Sequence, residues 1–200
     1  MIKACTTRTH WLASAAIVIV CAATLASCSS EYPPGESALV WQKFAAGMVD
    51  ATDLPFGWGD RRSIVLDVPN AIGRGISYTA DSRTSYANVN QHIMIYPSAD
   101  DARMAYEQAA ANAFPAAYAD KWLGQPDLAP YSEADQMRSA CLPGLVNGLS
   151  QQVCVVVAQY GTMLMDLSGI VFEDHWLTME QFKRLVERVD AKMYRASMLR

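Results

Sequence analysis

The chain has 200 residues, 52% of them hydrophobic and 18% charged, with 20 acidic side chains against 16 basic ones. That length suits one compact domain with its own core, and the hydrophobicity is too high for an intrinsically disordered chain. A pI near 5.3 provides no basic stripe to neutralise phosphates, which argues against a nucleic-acid partner.

Met1–His10 carries Lys3 and Arg8 and no acid, and the apolar run Trp11–Leu25 follows it. A membrane-spanning helix takes about 20 apolar residues. The shorter run here fits the hydrophobic region of a secretory signal and is set apart from the fold. At its end stands Leu25-Ala26-Ser27-Cys28, an aliphatic residue, two small residues and a cysteine. Small side chains let a peptidase groove close around the backbone, while the thiol lies at the membrane surface. In this setting the tetrapeptide resembles the lipobox of bacterial lipoproteins.

That resemblance implies a diacylglyceryl group on the Cys28 thiol and cleavage between Ser27 and Cys28. The alternative is an ordinary signal peptide cut at Ala22-Ala23-Thr24 or Leu25-Ala26-Ser27, with Cys28 incidental. Two acyl chains anchor a protein stably where one holds it marginally. The expected organisation is a signal at 1–27, a lipidated tether at 28–36 stiffened by Pro33-Pro34, and one extracytoplasmic domain at 37–200. Loss of Lys3 and Arg8 with the signal makes the remaining chain more acidic, so lipid rather than charge would hold it to an anionic membrane.

Of five cysteines, Cys5 and Cys21 leave with the signal and Cys28 is spent on lipid. Cys141 and Cys154 remain, an even pair in an oxidising compartment. They flank Leu142–Val153, which holds the turn signals Pro143-Gly144 and Asn147-Gly148. The expectation is a loop stapled by a disulfide, worth about 3 kcal/mol in the chain-entropy model.

In chain order, Ser37–Val49 reads as a helix, with Leu39, Val40, Phe44 and Met48 at helical spacing. Asp53–Gly59 is turn-rich, and its Phe56 and Trp58 are expected to plug one edge of the core. Arg61–Val68 reads as a strand, Asn70–Gly75 as a turn, and Ile76–Thr79 and Asn88–Tyr96 as further strands. Along the last of these, Val89, Ile93 and Ile95 face one way while Asn90, His92, Met94 and Tyr96 face the other. Ser98 and Asp101 have capping-box spacing before a helix over Ala99–Phe114, which Pro115 stops. Lys121–Tyr131 is a Pro-rich connector. Gln151–Tyr160 and Thr162–Val171 are nearly continuous apolar strands joined at Tyr160-Gly161. Thr178 and Gln181 cap a last helix, Met179–Ser197, whose apolar stripe is Phe182, Leu185, Val186, Val189 and Met193.

This order predicts an α+β fold, an antiparallel sheet of about five strands with two to three helices packed on it. The layout loosely resembles small actinobacterial lipoproteins and the extracellular sensor domains of bacterial serine/threonine kinases. It departs from those sensor domains in having one cysteine pair where they commonly have two.

Catalytic signatures are sparse. Glu173-Asp174-His175 places two carboxylates beside an imidazole, the one cluster that could serve a hydrolase or a metal-dependent enzyme. Successive residues do not all point at one ion without an unusual turn, and no second cluster completes a ligand set. No G-x-S-x-G elbow surrounds Ser168. Gly73-Arg74-Gly75 lacks the lysine and following helix of a phosphate loop. Carboxylates at Asp100-Asp101 complement a helix dipole. No metal and no cofactor is expected.

Aromatic side chains are abundant, and Tyr and Trp are amphipathic anchors at interfaces and pocket rims. Trp58, His92, Tyr96, Trp122 and Trp176 are the candidate binding residues. The expected function is a non-catalytic binding or accessory module of the bacterial envelope. Its expected partners are the membrane, through lipid on Cys28, and an envelope protein or small apolar ligand. A purely scaffolding lipoprotein is the third possibility.

Overall fold

A computed structural model describes residues 37–81, 86–124, 128–146 and 149–200. The signal 1–27, Cys28 and the tether 28–36 lie outside the described residues, as do 82–85, 125–127 and the pair 147–148. The helices are α1 (Ala38–Gly47), α2 (Ala99–Ala113) and α3 (Met179–Ser197). The strands are β1 (Gly59–Leu66), β2 (Ile72–Asp81), β3 (Tyr86–Ile95), β4 (Leu123–Gly124), β5 (Gln136–Val146), β6 (Leu149–Tyr160) and β7 (Met163–Phe172). They form one antiparallel sheet in the order β1-β2-β3-β7-β6-β5-β4.

The α+β class holds, but the sheet has seven strands rather than about five. The two unforeseen strands are β4, inside the Pro-rich connector, and β5, which runs through Pro143-Gly144. β5 lacks β-branched residues until Val146 and so carries little strand propensity of its own. Its proline is tolerated because β4 pairs only with Cys141 and Ala140. Beside Pro143 the outer edge has no strand partner among the described residues, so the missing N–H costs no ladder bond. Cys141 and Cys154 therefore do not close a free loop. They stand directly opposite each other on β5 and β6, Cα atoms 4.0 Å apart, and staple two adjacent strands.

The expected turn at Asn70–Gly75 is also mostly strand, since β2 begins at Ile72. Its glycines answer crowding rather than turning. A Cβ on Gly73 would stand 2.8 Å from Leu66 Cβ, and one on Gly75 would stand 2.7 Å from both His92 and Ile64. Phe56 does not plug the core. It is 107% exposed, whereas Trp58 two residues on is half-buried.

Alternation along the strands sends two sets of side chains to opposite faces. On one face Val89, Ile93, Val156, Ala158, Met163, Met165 and Leu167 meet Phe182, Leu185, Val186, Val189 and Met193 of α3 and Phe44 of α1. On the other, Met94, Val157 and Leu164 lie beneath Tyr106, Ala110 and Phe114 at and just past α2. The small residues Ala102, Ala105, Ala109 and Ala110 keep α2 close to the sheet. Thr178 and Gln181 make the reciprocal capping box expected of α3, with Thr178 N donating to Gln181 Oε1 at 2.8 Å and Gln181 N to Thr178 Oγ1 at 3.3 Å. At α2, Asp101 N donates to Ser98 Oγ, which itself donates to the Asp101 carboxylate.

Three polar anchors position the elements. Gln91, 0% exposed in the middle of β3, accepts from Val49 N at 2.6 Å and donates to Gly47 O at 2.9 Å. Its amide thus stands in for a strand neighbour at the end of α1. Next to that anchor a Cβ on Gly47 would lie 2.9 Å from Met193 Sδ, so α1 and α3 approach closely there. Lys192 of α3 donates to Asp50, Asp53 and Met48 O, which ties the α1–β1 connection to α3. Buried Asp190 accepts from Ser132 Oγ, Glu133 N and Tyr160 Oη, joining the chain before β5 to α3 and β6. Burial and the neighbouring Asp190 carboxylate push the Tyr160 phenol far above its usual range, so it stays a donor.

Removing the Gln91 amide strands a buried N–H and a buried C=O, each costing about 1–3 kcal/mol. Gln91→Leu should therefore destabilise the domain by about 2–4 kcal/mol in chemical denaturation; a loss below about 1 kcal/mol would mean that α1 is held otherwise.

Hydrogen bonds from Thr52, and then Lys192, hold the Asp50 carboxyl far below the usual range, while burial, which lowers the Lys192 ammonium, is outweighed by Asp53 and Asp50, which raise it. A depressed carboxylate stabilises above its unfolded pKa near 4 and is lost as pH falls, whereas a raised lysine stabilises below about 10.4 and is lost as pH rises. The gap in thermal midpoint between wild type and Lys192→Met should be widest between those limits and narrow at both ends. A gap constant from pH 3 to 11 would mean that the lysine contributes only its aliphatic stem.

Candidate functional site

α2 crosses only the end of the sheet nearest the β6–β7 turn, where it contacts β6 and β7. On the same face the strand register sets the side chains in rows, which run beneath α2 at Val157 and Ala140 and past it elsewhere. One row across the strands reads Ile64, Gly75, His92, Asp166, Val157 and Arg138. The next contains Ser77, Asn90, Ser168, Val155 and Ala140. A third brings Ile170, Val153 and Leu142 together.

Beyond α2 most of these side chains are half-buried, and Ile64 and Val153 are exposed. The open part of the face is polar in the middle, with Ser77, Asn90, His92, Asp166 and Ser168. It is apolar toward β5 and β6, with Leu142, Val153, Val155 and Ile170. A surface of this composition suits an amphipathic ligand or a strand or loop of a partner protein.

His92 is the candidate residue that lies within this surface. Its Nδ1 stands 3.9 Å from the Asp166 carboxylate, and each side chain is about one-third exposed. The pair is close enough for an ion pair when the imidazole is protonated and too long for a direct hydrogen bond. Gly75 makes the arrangement possible, since the His92 ring and Ile64 both lie across its bare Cα. The imidazole can therefore donate to or accept from something seated above the pair, and the carboxylate can accept from it.

Trp58 and Trp176 are brought together at the far end of the sheet. The β3–β7 ladder stops at Val89–Gly169, while β2–β3 continues to Asp81–Tyr86 and β6–β7 continues to Gln151–Phe172. The two halves of the sheet part there, and Phe172, Ala80 and Ala87 pack with Trp58, Ile170 and Trp176. Trp58 Nε1 donates to Trp176 O at 3.4 Å. Trp176 has φ +55°, a left-handed conformation uncommon for a bulky side chain. The turn that imposes it is closed by Phe172 N donating to Leu177 O at 2.8 Å.

Tyr96 and Trp122 are placed elsewhere, in the packing beneath α2. Trp122 meets Phe114 edge-on at 5.2 Å between centroids, with the Arg138 guanidinium 4.5 Å from the centroid of the Phe114 ring. Burial raises the Tyr96 phenol above its usual value. The five candidates thus fall into three places rather than one.

Glu173 and Asp174 are exposed, His175 Nδ1 pairs with Asp174 Oδ1 at 2.6 Å, and the imidazole packs on Phe172 at 4.5 Å. Among the described residues no three His, Cys, Asp or Glu side chains are grouped so as to hold a metal ion. A separate groove of about 300 Å³ lies between Ala129–Glu133 and Glu187, Asp190 and Ala191 of α3. Its Asp190 carboxylate is already taken by three donors. The Asp166, Asn90 and Ser168 part of the open face has no signature in the sequence, because those residues become neighbours only through the β3–β7 register. The alternation that puts Asn90 and His92 on one side of β3 is the one signal available.

No family model matches the chain, and no curated protein matches it. Among the described residues no helix is long and apolar enough to cross a membrane. The chain is similar to the crystal structure of the extracellular domain of PknH from Mycobacterium tuberculosis, at 9% identity and a TM-score of 0.52. The match covers 76% of this chain and 94% of that one. At that identity the two share a fold, an antiparallel sheet with helices packed on it.

Proposed function

We propose that this chain is a lipid-anchored, extracytoplasmic binding module of a bacterial envelope, with no catalytic activity of its own. The observation that carries the binding half is the open part of the sheet face beside α2, where His92 and Asp166 face outward among Asn90, Ser168 and Ser77. The location half rests on Leu25-Ala26-Ser27-Cys28 and its charged and apolar lead-in. The Cys141–Cys154 bridge suits an oxidising compartment. The shared fold with an extracellular domain of a mycobacterial kinase agrees with that placement. The occupant is a small amphipathic or apolar ligand, or an envelope protein.

Two measurements test the two halves separately. Expressed in a bacterium that processes lipoproteins, the chain should begin at Cys28 and carry a diacylglyceryl group there by peptide mass spectrometry. Cys28→Ala should abolish both, and an unlipidated cut in the wild type would overturn the anchor. For binding, native mass spectrometry of Ser29–Arg200 secreted through an oxidising compartment should show an added mass on the order of a few hundred daltons that leaves on denaturation. Ser168→Trp, which fills the polar centre of the face, should cut the occupied fraction about tenfold without changing thermal stability. A retained ligand indifferent to that substitution would move the site elsewhere. A protein that carries no added mass would shift the assignment to a protein partner, to be captured by cross-linking on the membrane.

A further inference from the structure

On the open part of the face beside α2, the polar side chains form a continuous strip. Ser77, Asn90 and Ser168 stand side by side on β2, β3 and β7, and His92 and Asp166 stand side by side in the adjoining row. Neighbours in such a row are about 4.8 Å apart. All five are half-buried. Apart from the 3.9 Å approach of His92 to Asp166, none of these side chains has a hydrogen-bond or ionic partner among the described residues. The strip stops between β7 and β6, where Ser168 faces Val155. Beyond that border Ile170, Val153 and Leu142 continue across the face, all of them aliphatic.

The strip presents both halves of the hydrogen bond. The Asp166 carboxylate accepts, while the Asn90 amide, the two serine hydroxyls and a neutral imidazole each donate and accept. A phosphate or sulfate head only accepts, and it meets Asp166 as a like charge. An ammonium head only donates, which leaves the Asn90 and serine donors without acceptors. Hydroxyls donate and accept at once and carry no charge, so several on one head can serve all five groups. The arginines of this face stand at the outer ends of the rows, Arg62 on β1 and Arg138 on β5. The Arg138 guanidinium is spent on the Phe114 ring, 4.5 Å from its centroid. We propose that the open face takes a neutral amphiphile with a polyhydroxyl head and an aliphatic tail, a glycosylated lipid by chemical class. The head lies on Ser77, Asn90, His92, Asp166 and Ser168, and the tail on Val155, Val153 and Ile170 beside α2. This ligand rests on the binding function proposed above and gives it a chemical identity. Lipid on Cys28 would hold the domain at the membrane where such molecules are found.

The test is photo-cross-linking of the full chain, processed in a bacterium and reconstituted into phosphatidylcholine vesicles. Each vesicle preparation carries a diacylglycerol lipid with the same diazirine-bearing acyl chain and a diglucosyl, a phosphoglycerol or a trimethylammonium head. The diglucosyl lipid should label the β6 and β7 peptides that hold Val153 and Ile170 about tenfold more than either charged lipid. Ser168→Trp should remove that labelling. Asn90→Leu and Asp166→Asn should each cut the preference for the sugar head about fivefold at unchanged thermal midpoint. The comparison of the three lipids in the wild type needs no variant. Equal labelling by all three lipids, or more by a charged one, that Ser168→Trp still removes would overturn the polyhydroxyl head and leave the binding function standing. Labelling that is absent, falls outside β6 and β7, or ignores Ser168→Trp would overturn both. A sugar preference unchanged in Asn90→Leu and Asp166→Asn would overturn the strip as the place where the head is read.

Discussion

The ladder between β3 and β7, from Val89–Gly169 to Ile95–Met163, is the constraint on which the rest of the domain depends. Each side of it is a run of strands joined to sequence neighbours, β1-β2-β3 and β4-β5-β6-β7, and only this ladder makes them one sheet. The partners are more than sixty residues apart in sequence, so their closure has a large entropic cost that the two faces together must offset. They do so by packing across it. α1 rests on β3 and α3 on β7 and β6, and the two helices meet at Gly47 and Met193. Gln91 lies on the ladder itself, opposite Leu167, and binds the end of α1 from there.

The same ladder decides where a ligand can sit. One face is roofed by two helices over its central strands, and the other by a single helix whose alanines bring it close but whose length covers only one end. What α2 leaves uncovered is the middle of the sheet, where a polar strip across β3 and β7 is bordered by Val153, Val155 and Ile170. An antiparallel sheet tolerates one solvated face. Here half of one face is solvated, with an imidazole and a carboxylate facing each other on it.

The helices were nearly complete in the sequence. Ser98, Thr178 and the apolar stripe of α3 gave their limits within two residues, because caps and stripes are local signals. The strands were legible where β-branched runs announced them, as in β6 and β7. β5 was hidden because its pairing with β6, not its own composition, makes it a strand; Gln136–Leu142 holds no Val, Ile or Thr. The glycines of Gly73-Arg74-Gly75 looked like punctuation and proved to be clearance for Leu66, His92 and Ile64. Arg74 between them is buried, its guanidinium 5.0 Å from the centroid of the Trp41 ring and 5.9 Å from that of Phe44, a use that no spacing rule exposes. Of the candidate site, His92 and its orientation were legible and its partners were not, because Asp166 and Ser168 lie on a strand whose register with β3 has no local signal.

Gln91 also has a mechanical side. Tension arriving through the backbone from the N-terminal direction enters the described domain at Ser37 and runs down α1. At its far end, two hydrogen bonds from one glutamine amide tie Gly47 and Val49 to the central strand, and Lys192 ties Met48 and Asp50 to α3. The load is thus shared between β3 and α3 before it reaches β1, an edge strand with one strand neighbour among the described residues. A domain hung by its leading end would stretch last at that edge.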